Sequence, residues 1–325
     1  MPKYLNHYAE INEDNEQVVP VHVDGNTTTC FFGFRGGHAK GDKDKWDTCL
    51  HKVQTGVTVD ALKETCKHHD ISFSDLPKEN LTIYADDYSV HIDRARRMYF
   101  GLSYYQFCHI DIYSFLSNFK NVYISNLKKK VHEKVYPMPI GTYPDKDVDE
   151  SINPNAEKAG FVVANFGFTT NLRSDIANWA IKSRYVDDHF ASPPEEFENQ
   201  PEAIKRKFEN KHVEYLSKQD YCKQLSEYRF CIAPEGNASD TFRQWEAISS
   251  NTVPIIQANY GNLIFSKIWP MITSYNYEEE NLPWEISKFM HERPNFTYSE
   301  DLRSLLYQEN LEHLLERIKY ECSGS

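Results

Sequence analysis

Twice along the chain, short apolar runs of strand length alternate with stretches of helical period, and this alternation restricts the fold more than any other feature. In the first half Cys30–Phe34, Leu81–Ala85 and Asn121–Ile124 read as strands, with helices predicted over Val57–His69 and Val90–Phe100. In the second half the predicted strands are Phe161–Asn165, Phe230–Ala233 and Val253–Gln257. Helices are predicted there at Asn171–Arg184, Glu202–Asn210, Lys218–Tyr228 and Thr241–Ser249. Parallel strands need long crossovers, so such a series predicts an α/β fold of mostly parallel sheets with helical connections.

The stretch from Pro137 to Lys158 carries four prolines and a cluster of acids with almost no periodicity, which marks an interdomain linker. A chain of 325 residues is about twice the usual ~150 per domain. The expectation is two domains, 1–155 and 156–325. From Ser299 to Tyr320 the residues Leu302, Leu305, Leu306, Leu311, Leu314, Leu315 and Ile318 recur at three- and four-residue spacings, predicting one long amphipathic helix.

Charge and cysteine usage exclude several classes. The net charge of -12 works against a general affinity for nucleic acid or anionic lipid. No apolar run approaches the ~20 residues of a membrane span, and the N-terminus is polar and acidic, so neither a signal peptide nor an anchor is predicted. Seven cysteines without a CxxC or other metal-ligand spacing predict free thiols in a reducing compartment, hence a cytoplasmic protein. The Asp-x-Asp triplets at Asp42/Asp44, Asp145/Asp147 and Asp147/Asp149 follow no clear apolar strand and predict no metal site.

Chemistry is expected around Phe230–Ile248. A buried strand ends at Pro234, a loop of small residues (Glu235, Gly236, Asn237, Ala238) follows, and Ser239 or Asp240 can cap a helix starting at Thr241. Ligands of open α/β sheets bind beyond the carboxyl ends of strands, and helix N-termini attract phosphate. Arg243 and Glu246, three apart, share one helical face, while Phe242, Trp245 and Ile248 can turn to the sheet. Arg243 can clamp a diphosphate and Glu246 can accept from ribose hydroxyls; an ordinary surface ion pair is the alternative reading.

The run Tyr228-Arg-Phe-Cys-Ile-Ala-Pro234-Glu-Gly-Asn237, then Asp240-Thr-Phe-Arg243-Gln-Trp-Glu246-Ala and Val253-Pro-Ile-Ile256, resembles the donor-binding signature of exostosin-like glycosyltransferases. Pro139-Ile-Gly141, Asn165-Phe166 and Thr170-Asn171 with Arg173 are similar to segments that precede it. The resemblance implies a GT-B fold: two Rossmann-like domains facing across a cleft, the C-terminal one holding a nucleotide-sugar. It implies that the last helix, about 299–321, packs back on the N-terminal domain. It further implies that Arg243 and Arg173 contact the diphosphate, that Glu246 contacts the ribose, and that Asn165, Pro234, Glu235, Gly236, Asn237, Asp240 and Thr241 complete the donor site. Glu235 departs from the basic residue common in that family, so it is expected to read sugar hydroxyls.

Transferases of this kind invert the anomeric carbon by direct displacement, which calls for a base on the acceptor hydroxyl and positive charge at the leaving diphosphate. Asp87 and Asp86, following the strand that ends at Ala85, are the first candidates for the base, and Asp111 is the next; capping a helix is the alternative role for each. Arginines and helix termini can replace a metal, so neither metal nor cofactor is expected. The Gly-rich loop from Phe34 to Trp46 offers Arg35, His38 and Trp46 to an acceptor glycan or glycoprotein, with a flexible surface loop as the alternative reading. A UDP-sugar, with UDP-xylose first among donors, is the expected substrate. The other class consistent with these residues is a non-catalytic nucleotide- or glycan-binding protein.

Overall fold

In the computed structural model the described residues are 21–32, 58–68, 70–85, 110–142, 150–166, 171–180, 183, 185–189, 216–236, 239–275, 277 and 281–324. The chain divides into two compact units, one of His7–Ile140 with Glu312–Ser325 and one within Gly141–Leu311. Each carries a five-stranded, predominantly parallel sheet, so the chain is an α/β protein of two Rossmann-like units.

In the first unit β1 (Val21–Asp24) and β2 (Thr27–Phe32) form an antiparallel hairpin. Its turn places Gly25 at φ +50°, a left-handed conformation that costs glycine little. β3 (Asn80–Ala85), β4 (Asn121–Ser125) and β5 (Val135–Met138) then add in parallel, in sequential order. α1 (Val59–His68) lies between β2 and β3 in the chain, and the short α2 (Ile112–Leu116) precedes β4. Cys30, Leu62, Cys66, Leu81, Ile83, Phe115 and Val122 form one fully buried core. Every residue of β4 is buried, as in a central strand covered on both faces.

The second unit contains β6 (Gly160–Ala164), α3 (Asn171–Ala180), β7 (Asp188–His189), α4 (Lys218–Ser226) and β8 (Tyr228–Ala233). These are followed by α5 (Phe242–Ser249), β9 (Val253–Gln257), α6 (Tyr260–Ile268), β10 (Ile272–Ser274) and α7 (Leu282–Glu292). All pairings are parallel, in the order β10-β9-β8-β6-β7. The chain leaves β6 for β7 on one side, returns to β8 on the other side of β6, and continues outward. The direction therefore reverses between β6 and β8, the topological switch point where ligands of such sheets bind. At the opposite end, Lys158 donates to Ser226 O (2.6 Å), Ser250 O (3.0 Å) and Thr252 Oγ1 (3.1 Å), joining the C-terminal ends of α4 and α5. Burial lowers its pKa to about 8.

Three sequence expectations change. The proline-rich stretch does not begin as a linker: Pro137 lies in β5 opposite Ile124, at the edge of the sheet, where a missing amide donor is tolerated. The division accordingly falls at Gly141, ahead of the expected boundary at 155. The single terminal helix is broken into α8 (Glu300–Ser304), a 3₁₀ turn (Gln308–Asn310) and α9 (Leu311–Ser323). The side-chain amide of Asn310 donates to Ser304 O at 2.7 Å, taking over a carbonyl that a continuing helix would have used. The buried apolar face persists across the break through Leu305, Leu306, Leu311, Leu314, Leu315 and Ile318. α9 packs on the first unit, where Leu315 O accepts from Tyr123 Oη at 3.2 Å and Glu312 Oε1 accepts from Asn26 N at 2.7 Å. Predicted helices at 90–100 and 202–210 lie outside the described residues.

Candidate functional site

Three connections meet at the switch point: the one leaving β6, the one leaving β8 and the one leaving β9. β8 ends in a buried Ala233-Pro234, and the chain turns through Glu235 and Gly236. Arg173, in the first turn of α3 after β6, reaches across to that turn. Its Nε donates to Glu235 O at 3.0 Å and its Nη2 to Pro234 O at 3.2 Å. The close approach explains Gly236, where an added Cβ would stand 2.5 Å from Arg173 Nη2. An arginine that is only 8 % exposed is thereby built into the floor of the loop.

Arg243 comes from the first turn of α5. Its guanidinium lies 5.3 Å from the Tyr221 ring centroid and 6.0 Å from that of Phe166, cation–π distances that hold the charge between α4 and the end of β6. Burial acts to lower its pKa, but Tyr221, Cys231 and Glu246 outweigh it and the net shift is upward, so Arg243 stays charged. The pKa of Arg173 falls to about 9, chiefly through burial and next through the like charge of Arg243. The charge of Arg243 thus disfavours the charged form of Arg173 at the switch point, a penalty that a nearby anion would offset. Burial also pushes the Cys231 thiol up to about 12, leaving it an inert neighbour.

The start of α5 is set by packing. Trp245, fully buried against Phe265 and Trp269, donates from Nε1 to Asp240 Oδ1 at 2.7 Å, pinning the turn before the helix. Asp240, expected as a cap, thus binds the buried indole. Thr241 takes the N-cap position with extended backbone, yet its hydroxyl makes no cap bond; Oγ1 is buried and has no hydrogen-bond partner among the described residues. Glu246, one turn on, is buried as well. Asn165, at the end of β6, donates from Nδ2 to Gln224 Oε1 at 3.0 Å, tying that strand end to α4.

Glu235 turns the other way, toward β9. Its Oε1 accepts from Asn259 Nδ2 at 2.9 Å, and Asn259 Oδ1 in turn caps α6 by accepting from Asn262 N at 2.9 Å. The phenol of Tyr277, raised in pKa by burial and then by the nearby Glu235 charge, lies by the same turn.

Of the residues singled out by sequence, the structure brings together Arg173, Pro234, Glu235 and Gly236 on one side, and Asp240, Thr241, Arg243 and Glu246 along α5, with Asn165 at the adjoining strand end. Asn237 lies outside the described residues, as do Asp86, Asp87, Arg35, His38 and Trp46. Asp111 is described and is a helix cap: its Oδ1 accepts from Ser114 N at 3.1 Å at the start of α2. Among the described residues no cluster of three or more His, Cys, Asp or Glu side chains forms a metal site, and no helix is long and apolar enough to cross a membrane. Tyr221, Gln224, Asn259 and Tyr277 were not anticipated. Only Asn259 had a local signal, as an N-cap residue before an apolar helix; the others come from helix faces and loops that tertiary packing brings to the arginines.

No family model matches the chain, and no curated protein matches it. Among solved structures, the α,α-trehalose-phosphate synthase (UDP-forming) of Burkholderia vietnamiensis is 9% identical with a TM-score of 0.42, covering 95% of this chain and 90% of that one. The Escherichia coli trehalose-6-phosphate structure bound with UDP-2-fluoro glucose is 10% identical (TM-score 0.40; 98% and 89% covered). WaaG, a glycosyltransferase involved in lipopolysaccharide biosynthesis, is 12% identical (TM-score 0.36; 82% and 78% covered). At this distance each is a likeness in the course of the chain and nothing more. Fold and site together define a two-unit α/β protein with two arginines, Arg173 and Arg243, at the switch point of its second sheet.

Proposed function

We propose that the chain is a GT-B-type, exostosin-like glycosyltransferase that moves a sugar from a nucleoside diphosphate donor to a glycan hydroxyl. The observation that carries this reading is the geometry at the β6/β8 switch point: the buried Arg173 is bonded to Glu235 O and Pro234 O of the β8 loop, and Arg243 enters from the first turn of α5, whose N-cap hydroxyl makes no cap bond. That arrangement suits a diphosphate held by two guanidiniums and a helix terminus. Glu246 takes the ribose. UDP is the preferred nucleotide, and xylose, a neutral pentose, the first sugar to test.

In this reading the acceptor hydroxyl attacks the anomeric carbon, a carboxylate takes its proton, the bond to the diphosphate breaks, and the configuration inverts. Arg173 and Arg243 take up the charge that develops on the leaving oxygen, so no divalent metal or other cofactor is required. Because the Asp111 carboxylate already caps a helix, the base is assigned to Asp87 or Asp86, directly after Ala85, the last residue of β3. Arg35, His38 and Trp46 are assigned to the acceptor.

A calorimetric titration of UDP, GDP, CDP and ADP, each with and without Mn²⁺, tests the reading on wild type and Arg243→Ala. Base-selective binding without metal, weakened about 100-fold in the variant, is the expected result, since a hydrogen bond to a charged group contributes roughly 1.5–3 kcal/mol. Absence of binding by any of the four overturns it. Binding that survives alongside zero turnover in every sugar tested identifies a non-catalytic nucleotide-binding protein instead.

A further inference from the structure

The segment just before β6 fastens the two helices that hold Arg243. α4 supplies Tyr221, whose ring centroid lies 5.3 Å from the Arg243 guanidinium, and α5 carries Arg243 itself. At their carboxyl ends both helices meet residues 153–158. Asn153 N donates to Ser226 Oγ at 3.2 Å, and Pro154 O accepts from Asn251 Nδ2 at 3.2 Å. The Lys158 ammonium completes the junction, its three hydrogens matched by Ser226 O in the last residue of α4, Ser250 O at the C-cap of α5, and Thr252 Oγ1. Thr252 Oγ1 spends its own hydrogen on the Leu225 and Tyr228 carbonyls, at 2.8 and 2.9 Å, so toward Lys158 it acts as an acceptor. One cation therefore serves the negative ends of two helix dipoles at once.

We propose that Lys158 is a positioning residue for Arg243: by joining the carboxyl ends of α4 and α5 it fixes the spacing of Tyr221 and Arg243, and with it the affinity for a diphosphate. The inference rests on the transferase reading, which supplies its probe. The helices have 9 and 8 residues, so each is a rod of about 12–14 Å, and a shift at the carboxyl end carries to the turn that holds Tyr221 or Arg243. No ion pair shares the load. The three acceptors are neutral, and Ser249, Ser250, Asn251 and Thr252 bring no charge from the α5 side. Glu157, Lys223, Glu227 and Arg229 lie on the adjoining segments, yet burial alone accounts for the lowered pKa of Lys158, about 8. Above that pH the neutral amine keeps two hydrogens for three acceptors, and the junction loosens.

The test is a calorimetric titration of UDP into wild type, Lys158→Met and Ile83→Ala at about pH 7 and about pH 9.5, with folding checked by circular dichroism. Lys158→Met keeps an apolar stem and removes the cation. At the lower pH it is expected to bind UDP about tenfold more weakly than wild type, the scale for a side chain that touches no ligand. At the higher pH the ratio shrinks to about threefold or less, because wild type has lost its own ammonium, whereas discharge of Arg173 weakens both proteins alike. Ile83→Ala, a core substitution in the first sheet, binds UDP as wild type does. Equal affinity of wild type and Lys158→Met, or a ratio that does not change with pH, overturns the inference while leaving UDP binding and the transferase reading intact. An equal loss in Ile83→Ala also overturns it, since affinity would then follow global stability. Failure of wild type to bind UDP at all removes the underlying reading itself.

Discussion

The two sheets of this protein have five strands each and the same parallel bias, yet among the residues described only the second brings two arginines to a switch point. In the first, β2 to β5 follow one another in sequence, and their crossovers all advance in one direction. In the second, the chain doubles back over β6, so the strand order reverses between β6 and β8. The charges follow the topology. The first sheet fills its centre with Leu81, Ile83 and Val122 and a buried Thr82–Thr29 hydroxyl bond of 2.6 Å. The second places Arg173, Arg243 and Glu246 at its switch point, partly or wholly withdrawn from water. Strand order, more than strand composition, separates the two sheets.

Substitutions can break or sharpen this contrast. Trp245→Ala removes a fully buried indole and its bond to Asp240, so a loss of about 3–5 kcal/mol in urea unfolding is expected, together with loss of UDP binding. Ile83→Ala, fully buried in the first sheet, should cost about 2–4 kcal/mol, yet UDP affinity at 10 °C should stay within about twofold. If Ile83→Ala weakened UDP as strongly as Trp245→Ala, the division of labour between the sheets would be wrong.

Lys158 provides a third contrast, within the second unit. Its folded pKa, lowered by burial to about 8, lies below the usual lysine value near 10.4, so the unfolded chain binds the extra proton between those limits. This group therefore contributes stability that grows as pH rises from about 8 to 10.4 and is absent below. Relative to Lys158→Met, wild type should gain about 1–2 kcal/mol across that window after allowance for partial exposure, measured by denaturant titration at stepped pH. A difference that stays flat, or falls, contradicts the burial of this ammonium. The smallest effect is expected at Asp111→Ala, where loss of the cap on α2 should cost about 1 kcal/mol and leave transfer measurable. A loss of transfer rate beyond 100-fold with stability kept would return Asp111 to the role of base.

Much of this organisation was legible in the residues. The strands at Leu81–Ala85, Asn121–Ile124 and Val253–Gln257 and the helix at 59–68 follow directly from local period, because each buries one side chain pattern against its neighbours. The Pro234–Glu246 segment also declared its geometry, a strand running through a small-residue loop into a helix. The edge position of Pro137 was not legible, since a proline reads as a break until its unpaired side is known to face outward. Nor was the break at Leu305–Asn310, where the apolar spacing continues and a single side-chain amide interrupts the backbone ladder.

The sequence by itself determined the α/β alternation, the apolar faces and the residue types at the switch point, because those depend on interactions over one or two turns. Only the tertiary structure decided that Arg173, some 60 positions before the β8 loop, holds that loop from below. It also decided that Tyr221 and Phe166 hold Arg243 between their rings, and that Glu235 turns to Asn259. Those contacts depend on the reversal of strand order between β6 and β8, and strand order is set by the packing of whole crossovers, which no local pattern encodes.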